Sequence, residues 1–188
     1  MTNRISLLPV LLYLSACATD SGLVQEKLDP VTSTTISYSS APLVFYRDVP
    51  GRAAHARDFV HLAPLEVNRS GNYEYYLWLG IWSTMRDAGA DRDGFDSVVI
   101  FVDGEPLPLD ISGWTPATIG ASEPVFLKPV ASATDAYYRI NIDQLRMIAE
   151  AADVRLQSTG PGSLSYEPWD TQGAARTGLQ QFLDISVY

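Results

Sequence analysis

The sequence predicts a mainly antiparallel β domain, a sandwich or open barrel with one or two short C-terminal helices. Two observations carry this. Apolar, β-branched and aromatic runs recur at short intervals, and two pairs of them flank hairpin turns, Asn68-Arg69-Ser70-Gly71-Asn72 and Asp103-Gly104. A third is what the chain lacks. It has no alternating βα rhythm and no glycine-rich phosphate loop, which argues against a doubly wound nucleotide fold.

The elements follow in order. Residues 18–35 are rich in Ser, Thr and Asp without a firm period and read as a flexible tether of about 18 residues, reaching roughly 23 Å. A short helix over Gly22–Leu28 is the other reading. Strands are expected at Thr35–Tyr38 and Leu43–Tyr46, before the break at Pro50-Gly51. The long hairpin pairs Phe59–Val67 with Tyr73–Thr84. Its second arm is apolar on both faces, as a strand buried on two sides would be. Ser97–Val102 and Glu105–Ile111 form the second hairpin, with Pro106 and Pro108 marking the latter as an edge or irregular strand. A strand is expected at Val125–Leu127 within a loop-rich stretch, and others at Tyr137–Ile142, Val154–Ser158 and Leu164–Tyr166. Leu145, Ile148, Ala149 and Ala152 have helical spacing, with Asp143 as N-cap and the long hairpin as packing surface. A last helix runs from about Thr171, capped by Asp170, to Leu183. It buries Ala175, Leu179, Phe182 and Leu183, with Gly173 and Gly178 weakening it by about 1 kcal/mol each if interior.

The first residues carry an address. Arg4 and the amine precede an apolar run, Ile5 to Leu14, that is too short to span a bilayer but has the length of a signal-peptide core. Leu14-Ser15-Ala16-Cys17 follows. This resembles the lipobox of bacterial lipoproteins, and Cys17 is the chain's only cysteine. The resemblance implies a signal peptide over residues 1–16, cleavage before Cys17 and acylation of that residue. Several acyl chains make a stable anchor where one would be reversible. Ala18 after the cysteine resembles the sorting pattern of the outer membrane. The implied organisation is a signal peptide, a lipidated Cys17 with a tether over 17–35, and one globular domain over 36–188.

Composition narrows the function. Of 188 residues, 46% are hydrophobic and 19% charged, an ordinary globular balance. Thirteen basic against 22 acidic residues give a net charge of −9, which a phosphate backbone repels, so nucleic acid is not an expected partner. With Cys17 lipidated, cysteine zinc sites, redox pairs and thiol nucleophiles disappear together. No Gly-X-Ser-X-Gly elbow or Ser-X-X-Lys occurs.

Three groups of candidate site residues remain. Asp87, Asp91, Asp93 and Asp96 crowd one loop that suits a hard cation, but Ile100 stands where an EF-hand needs its glutamate. The expected reading is a solvated loop, with no metal and no cofactor. His55 and His61 are the only histidines, and a hydrolase would need His61 with acids such as Glu66, or a carboxylate pair. Tyr76, Trp78 and Trp82 lie on an aromatic-rich strand that packs a core or holds a ligand. The expectation is a lipid-anchored envelope protein with a non-catalytic binding or assembly domain, held to the membrane by its N-terminal lipid and meeting another envelope protein. The alternative is a periplasmic hydrolase.

Overall fold

The computed structural model describes residues 22–51, 55–85, 92–160, 162–169 and 172–186. Ten strands and two helices occur among them: β1 (Val24–Asp29), β2 (Thr34–Ser39), β3 (Leu43–Asp48), β4 (Arg57–Arg69), β5 (Asn72–Ser83), β6 (Ser97–Val102), β7 (Glu105–Gly113), β8 (Thr134–Ile140), α1 (Ile142–Glu150), β9 (Val154–Ser158), β10 (Ser165–Pro168) and α2 (Gly173–Ser186). All pairings are antiparallel. Eight strands close a barrel in the order β3-β4-β5-β8-β7-β6-β9-β10 and back to β3. The mainly β expectation holds, and its form is a closed barrel rather than a sandwich.

The long hairpin organises the barrel. β4 and β5 pair along their whole length, from Asp58↔Ser83 to Arg69↔Asn72. Ser70 and Gly71 take φ of 53° and 92°, the left-handed pair that a two-residue hairpin turn requires, and Asp103-Gly104 repeats it at 50° and 91°. On its other edge, β4 has two partners in succession. Its first half pairs with β3 and its second with β2, which extends through β1 as a wing beyond the barrel. Pro106 and Pro108 sit where β7 pairs only with β6, and β7 meets β8 only at Ile111 and Gly113, across a bulge.

Alternation along the strands separates two cores. Leu43, Phe45, Val60, Leu62, Leu77, Leu79, Ile100 and Leu156 fill the barrel, each almost wholly buried. Each contributes about 2 kcal/mol of apolar burial. Leu145, Ile148 and Ala149 of α1 join this core, as do Leu179 and Phe182 of α2. The second core lies on the outer face of β4, β5 and β8, where Leu65, Tyr76, Trp78 and Tyr137 are covered by Ile119, Val125 and Phe126. β5 is therefore buried on both faces, as its sequence predicts.

Four expectations change. Residues 24–29, within the expected tether, form β1: Val24 pairs with Ser39 and Asp29 with Thr34. Asp29 is buried, where its carboxylate accepts from the Val31 and Thr32 amides and from the amide and hydroxyl of Ser122. Val125–Leu127 is not a strand. Val125 and Phe126 are the cover of the outer core, and Leu127 points out at 96% exposure. The cap of α1 is Asn141, not Asp143. The Asn141 side chain accepts from the Gln144 amide, and the Gln144 side chain accepts from the Asn141 amide. Asp143 instead pairs with Arg146 within the first turns. Ala152 lies past the helix and is exposed, so the buried face of α1 is Leu145, Ile148 and Ala149, which join the core that the long hairpin helps to build, with α2 alongside. The expected cap Asp170 and start Thr171 of α2 lie outside the described residues. Gly178 sits inside α2 where a Cβ would come within 2.6 Å of Ser39 Oγ, so its cost as a helix residue is offset by close approach to β2.

Candidate aromatic binding wall

The outer face of β3, β4 and β5 carries a continuous band of rings. Register explains it: Tyr46 lies opposite Phe59, Phe59 opposite Trp82, and Val44 opposite His61, all on outward positions. Toward one end, the band is covered. Trp78 stacks on Phe126 at 4.2 Å and 11°, and Tyr38 meets Phe126 edge-on at 5.2 Å. Nε1 of Trp78 donates to Asp135 at 3.0 Å, and Lys128 neutralises that carboxylate from 3.3 Å. Tyr76, also buried, donates to Glu74, which holds both Arg69 and Arg139. Of the aromatic candidates, Tyr76 and Trp78 are thus packed and satisfied.

Toward the other end the cover stops. Trp82 stacks on Phe59 at 4.4 Å and 13°, Trp169 leans on Phe59 at 5.6 Å, and Tyr46 meets Trp169 edge-on at 5.0 Å. The Arg57 guanidinium lies 5.2 Å from the ring centres of both Tyr46 and Trp169 and pairs with Asp48. These rings are half-buried, and the buried Nε1 of Trp82 has no hydrogen-bond partner among the described residues. Tyr46, Phe59 and Arg57 do not stand out in the sequence, because strands distant along the chain assemble the band. The signal that could have found them is the outward alternation Val44/Tyr46 and Phe59/His61.

His61 sits at the junction of the two halves. Its ring is edge-on to Trp82, with centres 6.0 Å apart, and it lines a cavity of about 170 Å³ with Tyr38, Trp78, Phe126 and Leu127. Burial pulls its pKa below the ordinary histidine value, so the imidazole is neutral at pH 7. Glu66 cannot serve it: five residues along the same strand, it projects from the opposite face, beside Tyr75 and Ser186. Burial raises the Glu66 pKa. Among the described residues, no side-chain hydrogen bond reaches the His61 ring. Ser40 also lines this cavity, its hydroxyl donating to the Leu23 carbonyl, and among the described residues no bond joins it to His61. His55 is exposed.

Asp87 and Asp91 lie outside the described residues, while Asp93 and Asp96 border an open groove with Thr159 and Gly160. No group of three or more metal-ligating side chains occurs among the described residues. A larger open groove of about 710 Å³ runs along β9 and β10, past Phe101, Asp153, Arg155 and Glu167. Its Arg155 is already paired with Asp153 at 2.9 Å. Cys17 lies outside the described residues.

No protein family, curated protein or solved structure matches this chain.

Proposed function

We propose that this chain is a lipid-anchored protein of the bacterial cell envelope, in the outer membrane facing the periplasm, whose barrel binds a component of that envelope and does not catalyse. The observation that carries the binding half is the uncovered part of the aromatic wall, where Tyr46, Phe59, Trp82 and Trp169 stay half-open while the rest of the band is roofed. Large, stiff rings with a cation among them are what contact surfaces use as anchors, because they bury much area at little entropic cost. The anchoring half rests on Leu14-Ser15-Ala16-Cys17. The hydrolase reading has one supporting feature, a neutral His61 beside a small cavity, and no acid orients that ring among the described residues.

The test compares three variants of the full chain for labelling by radioactive palmitate, membrane fractionation and rescue of a deletion strain. Cys17→Ser should lose the label and leave the membrane fraction. His61→Gln should rescue like the parent. Trp82→Ala with Trp169→Ala should keep the label and fail to rescue. The opposite pattern, failure of His61→Gln with rescue by the tryptophan variant, would replace binding by hydrolysis.

A further inference from the structure

We infer that the component met by the open half of the wall is the bilayer interface itself, so that the barrel lies on the membrane rather than standing off from it. This rests on the lipid-anchor reading and deepens it.

The argument begins with strand direction. Val24 is level with Ser39, and Tyr38 pairs with Leu65, so β1 begins near the level of Pro64; it ends near that of Arg69, since Asp29 pairs with Thr34 and Thr35 with Asn68. Extended backwards, β1 points toward the end of β4 that carries Phe59. The chain therefore enters the fold from the side of the open rings. Pairing that starts at Val24 leaves only residues 18–23 between it and Cys17, which span about 20 Å when fully extended. From the level of Pro64 to that of Phe59 is about 17 Å along the strand. An anchor at Cys17 thus keeps the open wall within one short linker of the lipid headgroups.

The chemistry of the wall fits that surface. Tryptophan and tyrosine rings favour the zone between headgroups and acyl chains, where the apolar body of the ring is buried; Trp82 would offer it a carbon edge, since its Nε1 is turned into the protein. On the same face the Arg57 guanidinium among the rings is balanced by Asp48, while the Arg47–Asp58 pair lies on the opposite face and the exposed Glu167 stands opposite Tyr46. A zwitterionic surface repels a chain of net charge −9 less than an anionic one does. Leu127, 96% exposed at the rim of the His61 cavity, supplies an aliphatic side chain on the same face.

The test uses the full acylated protein in phosphatidylcholine vesicles, ordinary or brominated near the headgroup, with tryptophan emission and vesicle flotation read together. Bromine quenches rings that touch the lipid. The brominated vesicles should dim the parent, and Trp82→Phe with Trp169→Phe should float equally but lose that dimming. The variant deletes no bond at Trp82 among the described residues, where its Nε1 has no partner. Equal emission in both vesicles from protein that floats would overturn the inference while leaving the anchor intact, as would dimming that persists in the double variant. In that case cross-linking separates an envelope protein from a second copy of this chain as occupant. Flotation of Cys17→Ser as complete as the parent's would instead overturn the anchor reading.

Discussion

The indole of Trp78 lies flat across Gly80, two residues further along the same strand. A Cβ at Gly80 would sit 2.5 Å from two carbons of that ring. The missing side chain is what lets Trp78 stack on Phe126 and donate to Asp135. Gly80→Ala should therefore dislodge the indole and loosen the roof of the outer core. Overpacking of this kind costs about 1–3 kcal/mol. Urea unfolding should report that loss, together with a weakened near-ultraviolet circular dichroism signal. A variant as stable as the parent with an unchanged spectrum would refute the account.

Asp29 ties the first hairpin to the roof. The Ser122 amide is the main cause of its low pKa, about 2, against burial that acts the other way. A folded-state pKa below the unfolded value of 3.8 stabilises the fold above about pH 4, and that contribution is lost as the pH falls through 2. Asn at this position turns an NH₂ toward one of the Ser122 donors. Asp29→Asn should be less stable at pH 7, with a gap to the parent that closes between pH 4 and pH 2. Denaturation curves across that range that stay parallel would count against it.

Glu66 behaves with the opposite sign. Burial, the leading cause, raises its pKa above 4.5, so the folded state holds its proton more tightly than the unfolded chain does. Its stability contribution is present in acid and falls as the pH rises through the folded-state pKa. Glu66→Gln should then be more stable than the parent at pH 7, with the advantage vanishing below about pH 4. A destabilised variant at neutral pH would show that the ionised carboxylate is worth more to Tyr75 and Ser186 than its burial costs.

Two neighbouring substitutions separate the caps of α1. Asn141→Ala breaks the reciprocal box with Gln144 and should cost about 1 kcal/mol. Asp143→Ala removes an exposed pair with Arg146 and should cost roughly 0.5 kcal/mol or less. Thermal melts of the two, measured side by side, decide which residue starts the helix.

What the sequence reveals follows how local each cause is. Ser70-Gly71 and Asp103-Gly104 sit between the strands they join, so both hairpins and the two-faced burial of β5 are legible from a few residues. The same holds for the buried stripe of α2. Charged and without period, Val24–Asp29 looks like a tether; its strand exists because β2 lies beside it and Ser122 holds its end. Asn141 and Asp143 are both good caps, and the signal that decides is Gln144, three residues after Asn141. Trp82 could be named as a candidate from sequence, but Phe59, which stacks on it, and Trp169, which leans on Phe59, come together with it only through folding. His61 and Glu66 are close in sequence, and strand alternation puts them on opposite faces.

The barrel closes where β10 joins β3, a short seam in which Glu167 meets Tyr46 and Pro168 meets Phe45. About 120 residues separate the two sides of that seam, so the last stitch waits for β10 to be made. Until then β3 has β4 on one side only, and its other edge exposes free amides and carbonyls in the partly made protein. Such an edge pairs readily with any passing strand. The order of synthesis thus leaves a window in which a nascent chain needs shielding, and shortening the C-terminus before Tyr166 would hold that window open permanently.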